Sequence, residues 1–289
     1  MKRILNFSFT KIIVGLIICA GLVVAAQIGI RALLKATPLA DEVKNLILGL
    51  IVAVISLISY SVLYSFYEKR KITELSKNHL VKNLALGILL GAVLQSLTIF
   101  VIYLTGGFSV ISVNNFLYFL PALTMAFTSA IFEEILFRGI IFRLMEEKLG
   151  SYIALALSAL LFGLMHWANP NSSLIAALGL SVQAGFLLGA AFIYSKNLWF
   201  PIAIHFAWNF TQSGIYGAST SGHNIGKSLL TTKIEGTELI TGGQFGPEGS
   251  IQATLFCLTA AIILMILNHK QNKIVRPYWT NNAVIKVLR

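Results

Sequence analysis

Long apolar runs, broken by short polar segments, are the main feature of this chain. A helix that spans a bilayer needs about 17–25 consecutive apolar residues, because the hydrocarbon layer is ~30 Å thick. Runs of this length predict eight spans, with boundaries near 12–34, 45–66, 83–104, 116–142, 151–167, 173–194, 198–215 and 251–268.

The apolar runs lack the period-two alternation that marks a membrane β-barrel. Inside hydrocarbon every backbone N–H and C=O needs an internal partner, so the spans must be helices. The sequence therefore predicts an all-α fold, a polytopic membrane helix bundle of about eight transmembrane helices that forms a single integral membrane domain over residues 1–289. Two glycine pairs with a spacing that favours close helix approach are Gly87 with Gly91 and Gly185 with Gly189.

Composition excludes a soluble fold and a disordered chain. Apolar residues make up 56% of the chain and charged residues only 11%, against about 25% charged in soluble domains. The net charge of +11 would suggest a nucleic-acid partner in a soluble protein. Here the basic residues lie between apolar runs, so we predict contact with the lipid bilayer and no nucleic-acid partner.

The positions of Lys and Arg predict the orientation. If the N-terminus is cytoplasmic, 16 of the 22 basic residues face the cytoplasm, five face outward and Arg138 lies inside a span. This bias predicts that both termini are cytoplasmic in a multi-pass protein of the cell membrane. The inner residues are Lys2, Arg3, Lys11, Lys69, Arg70, Lys71, Lys77, Lys82, Arg143, Lys148, Lys196, Lys270, Lys273, Arg276, Lys286 and Arg289, and the outer ones are Arg31, Lys35, Lys44, Lys227 and Lys233.

Ionisable side chains inside a span are costly, so they mark a function or a structural pair. In the fourth span, Glu134 and Arg138 are four residues apart and share a helix face, which predicts an ion pair. Glu133 is rotated by about 100° from Glu134 and has no partner of this kind. It is the candidate general base, although all three could form one structural ionic network instead.

Two other spans carry polar side chains. His166 follows Phe162 by one helical turn, so the aromatic ring can pack against the imidazole. His205 and Asn209 are also one turn apart, and their N–H groups could stabilise an oxyanion that forms during a reaction. The competing interpretation is a polar contact that holds two helices together.

Distances along the helices predict the depth of this site. Glu133 lies 17 residues before Gly150 and His166 lies 16 after it, so both should be ~25 Å from a bend there. His205 is closer to its own inner end, near Lys196. We therefore expect a site in the inner half of the membrane that opens to the cytoplasm.

These motifs together resemble one known family. Their order on three successive helices is similar to that of the CPBP family, which contains CAAX prenyl proteases of the Rce1 type and bacterial bacteriocin-processing (Abi) proteins. The matching motifs, within a catalytic core of about 116–215, are Glu133-Glu134-x-x-x-Arg138, Phe162-x-x-x-His166 and His205-x-x-x-Asn209.

The resemblance implies an intramembrane endopeptidase. By this resemblance, Glu133 and His166 would activate the attacking water, and Glu133 would pass its proton to the leaving amine. His205 and Asn209 would stabilise the oxyanion.

In the same family pattern Glu134 and Arg138 would support the first of the three helices. Relatives are often described as zinc metalloproteases. Zinc stays an alternative here, with the glutamate and two histidines as the available ligands. The short loops favour a bacterial plasma membrane and membrane-associated peptide or protein substrates such as pheromone or bacteriocin precursors, whereas prenylated substrates belong to eukaryotic relatives.

Two non-proteolytic functions compete with this hypothesis. In the first, the chain is a non-catalytic membrane scaffold or partner protein, and the same polar groups only pack helices. In the second it is a transporter in which Glu133 relays protons, although the sequence has neither the repeats nor the paired broken helices that such folds use.

Overall fold

The computed structural model describes residues 7–280. Most of this part of the chain is helical. Its α-helices are α1 (Ser8–Lys35), α2 (Asp41–Glu68), α3 (Leu80–Leu104), α4 (Leu120–Glu134), α5 (Arg143–His166), α6 (Leu174–Leu180), α7 (Leu187–Ser195), α8 (Trp199–Asn209), α9 (Glu238–Thr241) and α10 (Ile251–Lys270). The π-helical segments are Ile135–Phe142, Ser181–Phe186 and Phe210–Ile215, and the 3-10 helices are Phe116–Phe119, Pro247–Gly249 and Tyr278–Thr280.

Six helical stretches in the described residues are long and apolar enough to span a membrane. One of them, Phe116–His166, has 51 residues and bends at Gly150, whose φ of 77° and ψ of 166° are not helical. The predicted fold class, a polytopic helical membrane protein, is confirmed. The number of crossings and the orientation stay predictions, and four of the charges counted for the orientation, Lys2, Arg3, Lys286 and Arg289, lie outside the described residues.

The connections between helices gather at two ends of the bundle. At one end, which we call the loop end, segment 216–250 contacts the other connections, with Asn169 Nδ2 donating to Ser221 O at 3.0 Å and Asn114 Nδ2 to Ser228 O at 3.0 Å. At the opposite end, the basic end, Asn197 Nδ2 donates to Ser76 O at 2.8 Å.

A two-stranded antiparallel sheet at the loop end was not predicted. It pairs β1 (Phe108–Val113) with β2 (Leu230–Ile234). The strands belong to two distant connections, since the paired residues Ser109 and Lys233 are 124 positions apart in the sequence. The pairing brings segment 216–250 back over the bundle. The all-helical prediction holds for the spans and not for these connections.

Glycines allow close contact between α3 and α8. A Cβ atom on Gly91 would lie 2.3 Å from Ile204 O, and one on Gly87 would lie 2.8 Å from Phe200 O. The second pair also lies in tight contacts, with a Gly185 Cβ 2.7 Å from Ala159 Cα. Because α8 carries His205 and Asn209, its contact with α3 fixes the position of these two side chains.

Candidate active site

Glu133 and Glu134 end α4 and point to different partners. Glu134 is fully buried, and its Oε1 accepts hydrogen bonds from Arg138 Nη1 at 2.8 Å and from His205 Nδ1 at 3.0 Å. The ion pair expected from the four-residue spacing is therefore present. The same carboxylate also connects α4 to α8.

Arg138 connects the fourth span to the sixth. Its Nη2 donates to the backbone oxygens of Ala184 at 2.6 Å and Gly185 at 3.1 Å. The guanidinium also lies over the Phe162 ring, 4.8 Å from its centroid. A buried charge is tolerated only when it is paired and hydrogen-bonded, and these contacts meet that requirement for Arg138.

The groups around Arg138 lie in irregular helix. Arg138 belongs to the π-helical Ile135–Phe142, and Ala184 and Gly185 belong to the π-helical Ser181–Phe186. A π-helical turn changes the register of carbonyl groups and is frequent at functional sites. In this chain, the two carbonyl oxygens that accept from the Arg138 guanidinium belong to the π-helical segment Ser181–Phe186.

His166 is the last residue of α5 and faces Glu133. Its Nδ1 lies 2.8 Å from Phe162 O. Since a carbonyl oxygen only accepts, Nδ1 carries the proton and the neutral ring has its lone pair on Nε2. That Nε2 lies 3.7 Å from Glu133 Oε2, and the Phe162 ring packs against the imidazole at a centroid distance of 4.6 Å.

His205 presents its second nitrogen to the same carboxylate oxygen. Because Nδ1 donates to Glu134, Nε2 is the free position, and it lies 4.0 Å from Glu133 Oε2. Glu133 Oε2 is buried and has no hydrogen-bond partner among the described residues. A buried polar atom of this kind needs a partner, so the space between it and the two imidazoles fits a water molecule or a substrate group.

Asn209 lies one turn beyond His205 on α8. Its Nδ2 lies 3.4 Å from Ser129 Oγ, a residue on α4 that the sequence had not indicated. This contact is long for a hydrogen bond.

A cavity of about 30 Å³, enough for a water molecule, adjoins these groups. His166, His205 and Asn209 line it, together with apolar side chains such as Leu188 and Trp208. Glu133 is not among the lining residues of this cavity. Its Oε2 nevertheless lies 3.7 Å from Nε2 of His166, which does line the cavity.

A different carboxylate, Glu248, lines the cavity. It belongs to segment 216–250 and is only 2% exposed. Its Oε1 accepts from Ser221 Oγ at 2.9 Å and from the Ser221 backbone N–H. Burial raises the pKa of Glu248, although the hydrogen bonds from Ser221 act in the opposite direction.

Sequence reasoning missed Glu248 and Ser221. The one available signal was an acid without a nearby basic residue, since no Lys, Arg or His occurs between positions 234 and 268. The cavity lies at the loop end, next to the end of α5, whereas Gly150 and Lys196 lie towards the basic end. The position of the site relative to the two faces of the membrane stays a prediction, as the orientation does. The folding of segment 216–250 over the cavity was not foreseen.

The zinc alternative requires about three protein ligands around one point. Among residues 7–280, no group of three or more His, Cys, Asp or Glu side chains is arranged to hold a metal ion. The donors available near Glu133 therefore do not fit a metal centre in this geometry. The two cysteines, Cys19 and Cys257, are buried and free.

One comparison with known proteins found a similar family. Residues 114–211, about a third of the chain, match the family model described as type II CAAX prenyl endopeptidase Rce1-like. This confirms the family resemblance that the three motifs indicated, and the matched segment contains Glu133, Glu134, Arg138, His166, His205 and Asn209. No curated protein and no solved structure matches the chain.

Proposed function

We propose, on the premise that residues 114–211 form an Rce1-like protease domain, that this chain is an intramembrane endopeptidase. It would hydrolyse peptide bonds of membrane-associated peptides or proteins. The observation that carries the proposal is the unpartnered Glu133 Oε2, which lies 3.7 Å from His166 Nε2 and 4.0 Å from His205 Nε2. Three groups able to exchange protons thus surround one point.

Glu133 and His166 activate the water. A water between Glu133 Oε2 and His166 Nε2 can donate one hydrogen bond to each, since both atoms have free lone pairs. As its oxygen attacks the scissile carbonyl carbon, one proton passes to Glu133. The carboxyl group then gives this proton to the amide nitrogen when the C–N bond breaks, which leaves an acid and an amine as products.

His205 and Asn209 stabilise the oxyanion. The carbonyl oxygen gains negative charge during the attack, and donors aimed at it lower the energy of the transition state. Asn209 donates from Nδ2. His205 donates from Nε2 when its ring is an imidazolium, and Glu134 holds the other nitrogen by accepting from Nδ1 at 3.0 Å.

The substrate must reach a largely buried site. The cavity beside the imidazoles is only about 30 Å³, too small for a peptide segment. Ser221 and Glu248 of segment 216–250 form part of its wall. Admission of a substrate therefore requires this segment or a neighbouring helix to move, as in many enzymes that close over their substrates.

The proposal is tested with purified full-length chain on a peptide library that includes prenylated and unprenylated members. Glu133→Gln keeps the size of the side chain and removes the base, so cleavage should fall by a factor of roughly 10²–10⁴. Glu235→Gln, which changes an exposed acid at the loop end, is the matched control. Cleavage by Glu133→Gln at the rate of the control would contradict the assigned role.

Two other outcomes separate the alternatives. Loss of activity in the presence of a strong chelator, with recovery on adding Zn²⁺, would favour the metalloprotease alternative. The scaffold alternative is favoured if no library member is cleaved while Arg138→Ala still destabilises the fold, since the polar groups would then serve only helix packing.

A further inference from the structure

A polar cleft with a volume of about 560 Å³ lies at the basic end, far along α8 from Asn209. It is bounded by the connection before α3, the C-terminal end of α7 and the segment after α10. This volume is in the range of small-molecule sites. The cleft shares no lining residue with the cavity at the candidate active site.

Three lysines line the cleft: Lys82, Lys196 and Lys273. No Asp or Glu is among its lining residues. The nearest acid that an ion pair connects to it is Glu146, whose Oε2 lies 3.4 Å from Lys196 Nζ. Glu146 also accepts from Ser151 Oγ, so this carboxylate is already shared, and its ion pair is with Lys196 alone of the three lysines.

The lysines are close enough to repel one another. Burial lowers the pKa of Lys273, and the charges of Lys196 and Lys82 lower it further. Lys273 Nζ donates to Tyr194 O and lies 4.4 Å from the centre of the Tyr194 ring. These contacts hold its ammonium group in the cleft beside like charges, an arrangement that an anion between them would stabilise.

The start of α3 adds further donors. Lys82 belongs to the first turn of this 25-residue helix, which contains no acidic residue and has no side-chain cap. The first N–H groups of a helix have no partner within the helix and favour anions. Asn78, Asn83 and Ser195 add neutral donors to the same cleft.

The lining also includes apolar side chains. Leu86 lies almost two turns into α3, and Phe200 is the second residue of α8. The cleft therefore combines cationic groups at the end of the bundle with apolar surface towards its middle. An amphiphile with a phosphate group between its polar and apolar parts matches this order of groups.

We propose that this cleft binds the phosphate of an anionic phospholipid headgroup. The ammonium groups of Lys82, Lys196 and Lys273 contact the phosphate oxygens, and the acyl chains leave past Leu86 and Phe200. The site does not depend on the proposed peptidase activity. Free inorganic phosphate presents the same oxygens, so the experiment must separate the two sources.

The test is native mass spectrometry of the purified full-length chain with phosphatidylglycerol, with phosphatidylcholine as the zwitterionic reference. The wild type should retain phosphatidylglycerol selectively. In a triple variant, Lys82, Lys196 and Lys273 are each replaced by Gln. This variant should bind phosphatidylglycerol at least roughly tenfold more weakly than the wild type. The matched control is Lys69→Gln with Lys71→Gln and Lys148→Gln, which removes the same charge from exposed positions at the same end that do not line the cleft.

Equal loss of binding in the two triple variants would overturn the proposal, because general attraction to a basic surface would then explain it. Lys82→Gln alone is the second variant, since Lys82 makes no hydrogen bond or ion pair within the described residues and its loss should spare the fold. Unchanged binding in this variant and in the cleft triple variant would also reject the site. The last comparison adds sodium phosphate, or sodium chloride at equal ionic strength, to the chain with phosphatidylglycerol bound. If only sodium phosphate displaces the lipid, the cleft is assigned to free phosphate, against the proposal. If neither salt displaces it selectively, the cleft is assigned to the lipid.

Discussion

His205 Nδ1 lies 3.0 Å from Glu134 Oε1, the oxygen that also accepts from Arg138 at 2.8 Å. One fully buried carboxylate thus orients an imidazole on α8 and a guanidinium of the fourth span at the same time. The bond to Nδ1 leaves His205 Nε2 directed towards Glu133. Glu134 is therefore a positioning residue in the proposed reaction, and it acts through His205.

Glu134→Gln should lower kcat and leave KM nearly unchanged. The amide keeps the shape of the side chain but removes the negative charge that holds the imidazole, and loss of such a supporting contact costs roughly 10–100-fold in activity. Steady-state cleavage kinetics, with a thermal melt of the same sample, separate this effect from unfolding. Glu147→Gln, at a 46% exposed acid, is the control, and an unchanged kcat in Glu134→Gln would remove its positioning role.

Arg138→Ala should destabilise the folded chain. Removal of one partner of a buried ion pair leaves an uncompensated charge and costs about 3–5 kcal/mol, here at Glu134. The Ala184 and Gly185 carbonyl groups would lose a donor as well. Denaturant unfolding in detergent measures the change, and Arg276→Ala, at an exposed position, should be neutral. A similar unfolding midpoint for both variants would show that the pair contributes little.

Local helical spacing explains why the sequence could indicate Glu134, Arg138 and His166. Residues four apart on a helix are neighbours wherever the helix lies, so the ion pair and the contact of Phe162 with His166 needed no knowledge of the fold. The spans are also a local property, because length and apolarity suffice to predict them. The bend at Gly150 agrees with the predicted boundary between the fourth and fifth spans.

Contacts between distant segments could not be predicted in this way. Glu248 reaches the cavity because β2 pairs with β1 and carries segment 216–250 back over the bundle. This strand pairing has no periodic signal in the sequence, so the second carboxylate of the site was missed.

Stability should depend on pH through Glu248. Burial raises its pKa above the ordinary value of 4.5, so the folded chain holds this proton more tightly than the unfolded chain does. The stabilisation is fully present below pH 4.5 and is lost as the pH rises through the folded-state pKa. Glu248→Gln removes this titration.

Thermal melts between pH 4 and pH 8, about the range in which an elevated carboxyl pKa is titrated, provide the measurement. The melting temperature of Glu248→Gln minus that of the wild type should increase with pH. Glu235→Gln serves as the control because this acid is exposed in the same segment. If the melting temperature of Glu248→Gln minus that of the wild type stays constant or decreases as the pH rises, the predicted titration of Glu248 is wrong.

Gly91→Ala tests whether the contact between α3 and α8 positions the site. The new Cβ would lie 2.3 Å from Ile204 O, next to His205 in the chain. Backbone cannot yield as a flexible side chain can, so α8 must shift, and overpacking of this kind costs about 1–3 kcal/mol. His205 and Asn209 would move with the helix, and activity should fall more than the loss of stability alone explains.

Gly29→Ala is the matched control, because a Cβ on Gly29 of α1 meets no atom within 4 Å. It should leave activity unchanged, since alanine favours a helix more than glycine does and nothing obstructs it. Cleavage rates at a temperature where both variants remain folded compare the two directly. If Gly91→Ala cleaves as fast as Gly29→Ala, the geometry of His205 does not depend on α3, and the short distance between these helices serves stability alone.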